Sequence, residues 1–167
     1  MTATYEKIAT TTLGSDTATI TFSSISGAYT DLVISLVAGQ SAALNDAFQV
    51  RFNGDSGTNY SDTMMLGNGT TAISGRQSTV DSYRDFGDLG GTAITSQFIF
   101  NLMNYSNTTT YKTILTRFSS VQKSRTMANV GLWRNTAAIT SIVFSFTGSD
   151  LFKSGTTATI YGILKAA

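Results

Sequence analysis

Short runs in which apolar and polar residues alternate, each closed by Gly, Asn, Asp or Ser, recur along almost the whole of this 167-residue chain. Alternation at period two puts one set of side chains on one face of an extended strand, whereas a helix needs apolar residues at i, i+3, i+4 and i+7. The first pattern runs through Ala18–Phe22 and Ala47–Phe52; the second is sustained nowhere over a useful length. Leu32–Ala38 is a nearly continuous apolar run, rich in Val and Ile and closed by Gly39, which suits a strand covered on both faces. Ser61–Leu66, Ser96–Met103, Tyr111–Phe118, Ala128–Arg134, Ile139–Phe146 and Thr157–Leu164 complete the set. Ser96–Met103 and Tyr111–Phe118 are arranged to pair as a hairpin across the polar turn Asn104–Thr109. About eight to ten strands spaced this way predict an all-β fold, an antiparallel β-sandwich that is jelly-roll-like.

Composition agrees with that reading. The chain holds 28 Thr and 20 Ser, and only 13% of its residues are charged, against roughly 25% in an average soluble domain. Thr is β-branched and suits a pleated, half-buried surface. Pro is absent, so the turns fall to Gly, Asn, Asp and Ser. Asn53-Gly54 is the strongest of these turn signals, because both residues tolerate positive φ.

One segment breaks the rhythm. Thr70–Gly91 has little periodicity and carries Asp81, Asp85 and Asp88. It is expected as a long loop holding one short strand near Thr79–Tyr83, and loops of that length often carry the contacts of a domain. No shift in composition marks a boundary, so residues 15–167 are expected to form a single sandwich, with residues 1–14 as an N-terminal arm or first strand. Met1–Lys7 lacks a basic start followed by an apolar run, and no apolar stretch approaches the ~20 residues of a membrane helix. Neither export nor a membrane is expected. The net charge is +1 without a basic cluster, which argues against nucleic acid as a partner.

The chain contains no His and no Cys. Triads with a His base, thiol nucleophiles and the preferred ligands of zinc, haem and iron–sulfur sites are therefore excluded. Phosphate-binding glycine motifs are missing as well. Carboxylate chemistry remains, and its pool is Asp55, Asp62, Asp81, Asp85 and Asp88. A glycosidase needs two carboxyls, one held protonated by burial, but solvated turn residues explain these positions better. Asn53, Asp55 and Asn59 could offer oxygens to Ca²⁺, yet their spacing departs from the EF-hand pattern and a hairpin turn is the plainer reading. No catalytic residue, metal ligand or cofactor is expected. Asn59, Asn68, Asn104 and Asn107 begin N-x-[ST] triplets, which follow from a Thr- and Ser-rich turn composition.

Trp133 and Tyr161 lie in strands, where an inward side chain is core more often than a ligand platform, whereas Tyr60, Tyr83, Phe86 and Tyr105 sit in or beside loops, where exposed aromatics stack on sugars or anchor protein interfaces. At the N-terminus, Tyr5, Ile8 and Leu13 punctuate a sparsely charged, Thr-rich stretch. These seven residues, Tyr5, Ile8, Leu13, Tyr60, Tyr83, Phe86 and Tyr105, are the candidate interface.

The strand-and-turn segments Tyr5–Thr12, Ile20–Ile25, Ala28–Val33, Phe52–Ser61, Asn104–Asn107, Tyr111–Thr113, Gly131–Trp133 and Ala158–Ile163, taken in order, resemble a family of small structural proteins of tailed bacteriophages. That resemblance spans Tyr5 to Ile163 and implies a virion component made in the host cytoplasm. The chain has no coiled coil, collagen-like repeat or shaft, so the resemblance fits a decoration or cement protein on the capsid surface better than a whole tail fibre. It implies the major capsid protein or other virion proteins as partners and a homo-oligomer, with a trimer as the form suggested. The alternative it leaves open is a tail-fibre or adhesin module binding a host receptor or carbohydrate. In the cement reading, residues 1–14 would be an arm that adds to neighbouring sheets.

Overall fold

The computed structural model describes residues 4–42, 46–84, 89 and 91–164. Among these, eleven strands pair antiparallel into two sheets, and no helix is present. Strands β1 (Tyr5–Thr12), β3 (Asp31–Ala38), β5 (Tyr60–Gly67), β6 (Ala72–Val80), β7 (Ser96–Met103), β8 (Lys112–Ser120), β9 (Arg125–Trp133) and β11 (Thr157–Ile163) form the larger sheet, in the order β1-β11-β3-β7-β8-β9-β5-β6. Strands β2 (Ile20–Phe22), β4 (Phe48–Phe52) and β10 (Ile142–Phe146) form the smaller, in the order β2-β10-β4. The antiparallel β-sandwich expected from the alternation is the fold, with eleven strands instead of eight to ten.

Alternation dictates the packing. Phe98, Phe100 and Leu102 of β7, Ile34 and Leu36 of β3, and Ile114 and Phe118 of β8 point inward and are buried. They meet Phe48, Val50 and Phe52 of β4 and Ile142, Phe144 and Phe146 of β10 from the opposite sheet. Phe48 is the hub: its ring centroid lies 4.7 Å from that of Phe98 and 5.9 Å from that of Phe144. Each such side chain contributes about 1.5–3 kcal/mol on leaving water. At one end of the sandwich, Phe52, Tyr60 and Trp133 form a second aromatic group, with Phe52 and Trp133 centroids 5.6 Å apart.

Three expectations need correcting. The segment taken for a long loop contains β6, a nine-residue strand paired with β5. Its residues are exposed or half-buried on both faces, so no alternation marks it in the sequence. The short strand placed at Thr79–Tyr83 is a corner instead. Thr79 adopts a positive φ of 55°, a region few non-glycine residues enter, the ladder slips between Tyr60 and Ser61, and Tyr83 then makes a lone bridge to Val50 of the smaller sheet. Finally, β3 is not covered on both faces: Val33 and Ser35 are half-buried and Val37 is exposed.

Candidate interaction surface

The sequence-derived interface residues do not converge. Tyr60, Tyr83 and Tyr105, expected as exposed loop aromatics, are each no more than 1% exposed and belong to the core. Their hydroxyls explain why polar-tipped rings serve there. Tyr60 Oη donates to Asp55 O at 3.1 Å and accepts from Phe52 N–H at 3.0 Å. Tyr83 Oη pairs with Thr116 Oγ1 at 2.9 Å, and Tyr105 Oη donates to Ser26 O. A buried ring with its hydroxyl satisfied is a packing unit and offers a partner nothing. Phe86 lies outside the described residues.

Residues Tyr5–Thr12 are paired along β11 from Tyr5↔Ile163 to Thr12↔Thr157, with a bulge at Ile8. Ile8 and Leu13 are half-buried and packed against the core, and Leu13 N–H donates to Thr156 O at 2.9 Å. These two are intramolecular contacts. Tyr5, 54% exposed, is the one of the three N-terminal candidates that faces solvent.

The acidic positions are occupied. Asp55 Oδ2 accepts from Trp133 Nε1 at 2.7 Å and from Asn59 Nδ2 at 2.9 Å, while Oδ1 accepts from Gly57 N–H at 2.8 Å. Burial opposes ionisation of Asp55, but these donors outweigh it and hold its pKa below the ordinary carboxylate range. Asn53 is also committed: its Oδ1 accepts from Thr140 and Ser141 N–H, and its Nδ2 donates to Ala138 O. The Asn53–Asn59 loop is thus a knot tying β4 and β5 to the Trp133 strand end. Asp81 lies between Arg51 at 2.6 Å and Arg84 at 3.0 Å. Burial raises its pKa and the Arg51 charge more than reverses this, so the carboxyl stays ionised and does not suit the role of a proton-donating acid. Asp62 is buried on β5, and Asp85 and Asp88 lie outside the described residues. Among the described residues, no group of three acidic side chains is placed to hold a metal ion.

Lys112 is buried and donates through Nζ to Thr110 O at 2.7 Å and Thr136 O at 3.0 Å. Its burial lowers its pKa.

What the sequence reading missed is the outer face of the larger sheet. Its outward positions carry Val37, Met65, Met103, Leu115 and Val130, each 38% exposed or more. Leu115 pairs with Val130 and shares a groove with Met65, whereas Val37 pairs with Gln97 at the far end of the face. A shallow groove of about 400 Å³ lies among Thr63, Met65, Leu115, Arg117, Ala128 and Val130. Hydroxyls fill the spaces between: Thr113, Thr126, Thr157 and Thr159 share this face. A signal for it existed, since Ile114-Leu115, Met64-Met65 and Phe98-Ile99-Phe100 put apolar residues on both parities of a strand.

No protein-family model matches this chain, and no curated protein matches it.

Proposed function

We propose that this chain is a non-enzymatic structural protein acting by surface contact, a decoration or cement protein on the outer capsid of a tailed bacteriophage, where it bridges and stabilises capsid subunits. The observation that supports this reading is the exposed outer face of the larger sheet, where Leu115 and Val130 pair across β8 and β9 and share a shallow groove with Met65, with threonines around them. Apolar side chains gathered on an exposed face are a common mark of an interaction surface. Asp55 and Asp81 are engaged by N–H donors or arginines, which favours a binding role over hydrolysis. The resemblance to phage structural proteins supplies the setting and the capsid partner.

A tail-located receptor or carbohydrate module would have used the Thr70–Gly91 loop and its aromatics. Within that segment Ala72–Val80 is a strand and Tyr83 is core, so less of it stands as an aromatic loop than that reading asks.

The test is the position and abundance of the protein in purified particles, by cryo-electron microscopy with quantitative gels. Abundance comparable to the major capsid protein, density on the head, and reduced survival of heat or osmotic shock by particles lacking the chain are the expected results. Low copy number confined to the tail would overturn the proposal.

A further inference from the structure

We infer that β6 is the seam of a homodimer in which two copies pair their β6 strands antiparallel about a two-fold axis at Gly75, carrying the larger sheet on from one subunit into the next. The inference stands independently of the capsid reading.

Each sheet ends in two edge strands, and an open edge is a row of unpaired backbone donors and acceptors that proteins blunt by several devices. Three of the edges here carry one. β2 is only three residues long. β4 is covered by the Tyr83 bridge, with Val50 N–H donating to Tyr83 O at 2.8 Å and Tyr83 N–H returning to Val50 O at 3.0 Å. β1 sets Glu6 and Lys7 beside its bulge. β6 is bulged only at its far end, at Thr79, and is open before it. It is nine residues long without Pro, its only charge is Arg76, and its register against β5 is regular from Ala72 to Ser78. Among the described residues, no backbone group pairs with its other side.

The parity of the open edge follows from the turn before it. Asn68 N–H donates to Thr71 O at 3.2 Å, which makes these two a hydrogen-bonded pair. Bonded and non-bonded pairs alternate in an antiparallel ladder. Ile73, Gly75 and Gln77 therefore bond to β5, while Ala72, Ser74, Arg76 and Ser78 aim their N–H and C=O groups outward. A partner strand must present the same parity. A second β6 does so when Ala72 faces Ser78 of the partner subunit and Ser74 faces Arg76 of the partner subunit. Gly75 then meets its own copy on the axis, where the missing side chain permits close approach. Centring on Arg76 would set two guanidiniums face to face, and centring on Ser74 would shorten the ladder, so the Gly75 register is preferred. Ile73, 44% exposed, loses solvent against Gln77 of the partner subunit in this arrangement. The contact is self-complementary, as a two-fold interface must be. Strand addition of this length is smaller than a standard interface of roughly 1,600 Å², so the association is expected to be weak and concentration-dependent.

Sedimentation velocity over a concentration series tests this with the full chain and three variants. Ser74 is exposed and its N–H does not bond to β5, so changes there leave the monomer fold intact, as circular dichroism will verify. The wild type should pass from monomer to dimer as concentration rises. Ser74→Pro removes an outward donor and should abolish the dimer. Ser74→Lys places a cation opposite Arg76 of the partner subunit and should weaken association about tenfold or more, whereas Ser74→Glu should strengthen it about two- to tenfold. A wild type that stays monomeric throughout, an oligomer other than a dimer, or a dimer indifferent to both Ser74→Pro and Ser74→Lys would overturn the inference.

Discussion

Gly131 is the position where the packing of the sandwich is tested most sharply by one methyl group. It sits on the inward face of β9, and a Cβ built on it would lie 2.5 Å from Tyr83 Cδ2, nearer still to Tyr83 Cε2, and 2.8 Å from Ile114 Cγ2. Carbon atoms prefer about 3.5–4.0 Å, so the ring would have to retreat by about an ångström. Tyr83 cannot retreat freely. It is 1% exposed, its backbone is bonded both ways to Val50, and its hydroxyl pairs with Thr116 Oγ1. Overpacking of this kind costs about 1–3 kcal/mol, and breaking the buried hydroxyl pair adds about 1–3 kcal/mol. Gly131→Ala should therefore destabilise the fold by about 2–6 kcal/mol, or roughly 2–4 °C of melting temperature for each kcal/mol. Gly162→Ala is the matched control. Its Cβ would meet the Tyr29 ring, at 2.6 Å from Cδ2, but Tyr29 is only half-buried and can swing toward solvent. Its cost should be about 1 kcal/mol. Guanidinium unfolding followed by circular dichroism and by the single Trp133 measures both. In a Tyr83→Ala background, Gly131→Ala should become nearly neutral, giving a coupling energy of about 2 kcal/mol or more. Gly131→Ala within about 0.5 kcal/mol of wild type, or cheaper than Gly162→Ala, would refute this account of the packing.

Asp55→Ala should cost about 2–4 kcal/mol, because it strands the Trp133 indole N–H, the Asn59 amide and the Gly57 N–H together; the same denaturation curves, with a shift in Trp133 emission, would check it. The pH profile follows from depressed carboxyls. Asp55 and Asp81 have folded pKa values below their unfolded ones, so their stabilisation is complete above the ordinary Asp value of about 3.9 and is lost as pH falls through the depressed values. With no His or Cys to titrate, stability should be flat from about pH 7 to about pH 5 and fall below about pH 4. Thermal melts across that range should show a shallower acid limb in Asp55→Asn/Asp81→Asn than in wild type; an unchanged limb would remove both carboxyls from the explanation.

Where an inward face meets the opposite sheet, alternation in the sequence records it, and β7, β8, β10 and β11 were legible for that reason. Their inward residues run Phe98-Phe100-Leu102, Ile114-Thr116-Phe118, Ile142-Phe144-Phe146 and Ala158-Ile160. The loop aromatics were misjudged by proximity to turns. Tyr60 is the first residue of β5 and faces Trp133 across the ladder, and Tyr83 crosses from the larger sheet to the smaller. Neither placement follows from sequence neighbours, because each depends on a strand pairing or corner formed far along the chain. Lys112 was equally hidden: its charge suggests a surface position, while its Nζ reaches backbone carbonyls at the strand end.

β6 was illegible for the opposite reason, and that silence carries information. A periodic pattern appears only where one face of a strand is covered and the other is not. The three-stranded sheet is too narrow to reach the end of an eight-stranded one, and burial declines across the last strands, from Trp133 on β9 through half-buried Met64 and Leu66 on β5 to exposed Ile73 on β6. The outer face of β6 is exposed and its inner face is only half-buried at Gly75, Gln77 and Val80, so its side chains keep little pattern. The same geometry makes β6 the open edge. A strand without a hydrophobic face would gain little by standing alone in water, yet here nine residues are held in register against β5 and end at a corner with Thr79 at positive φ. The order is imposed from one side and left available on the other, which is the arrangement a strand needs if its remaining hydrogen bonds are to be completed by another chain.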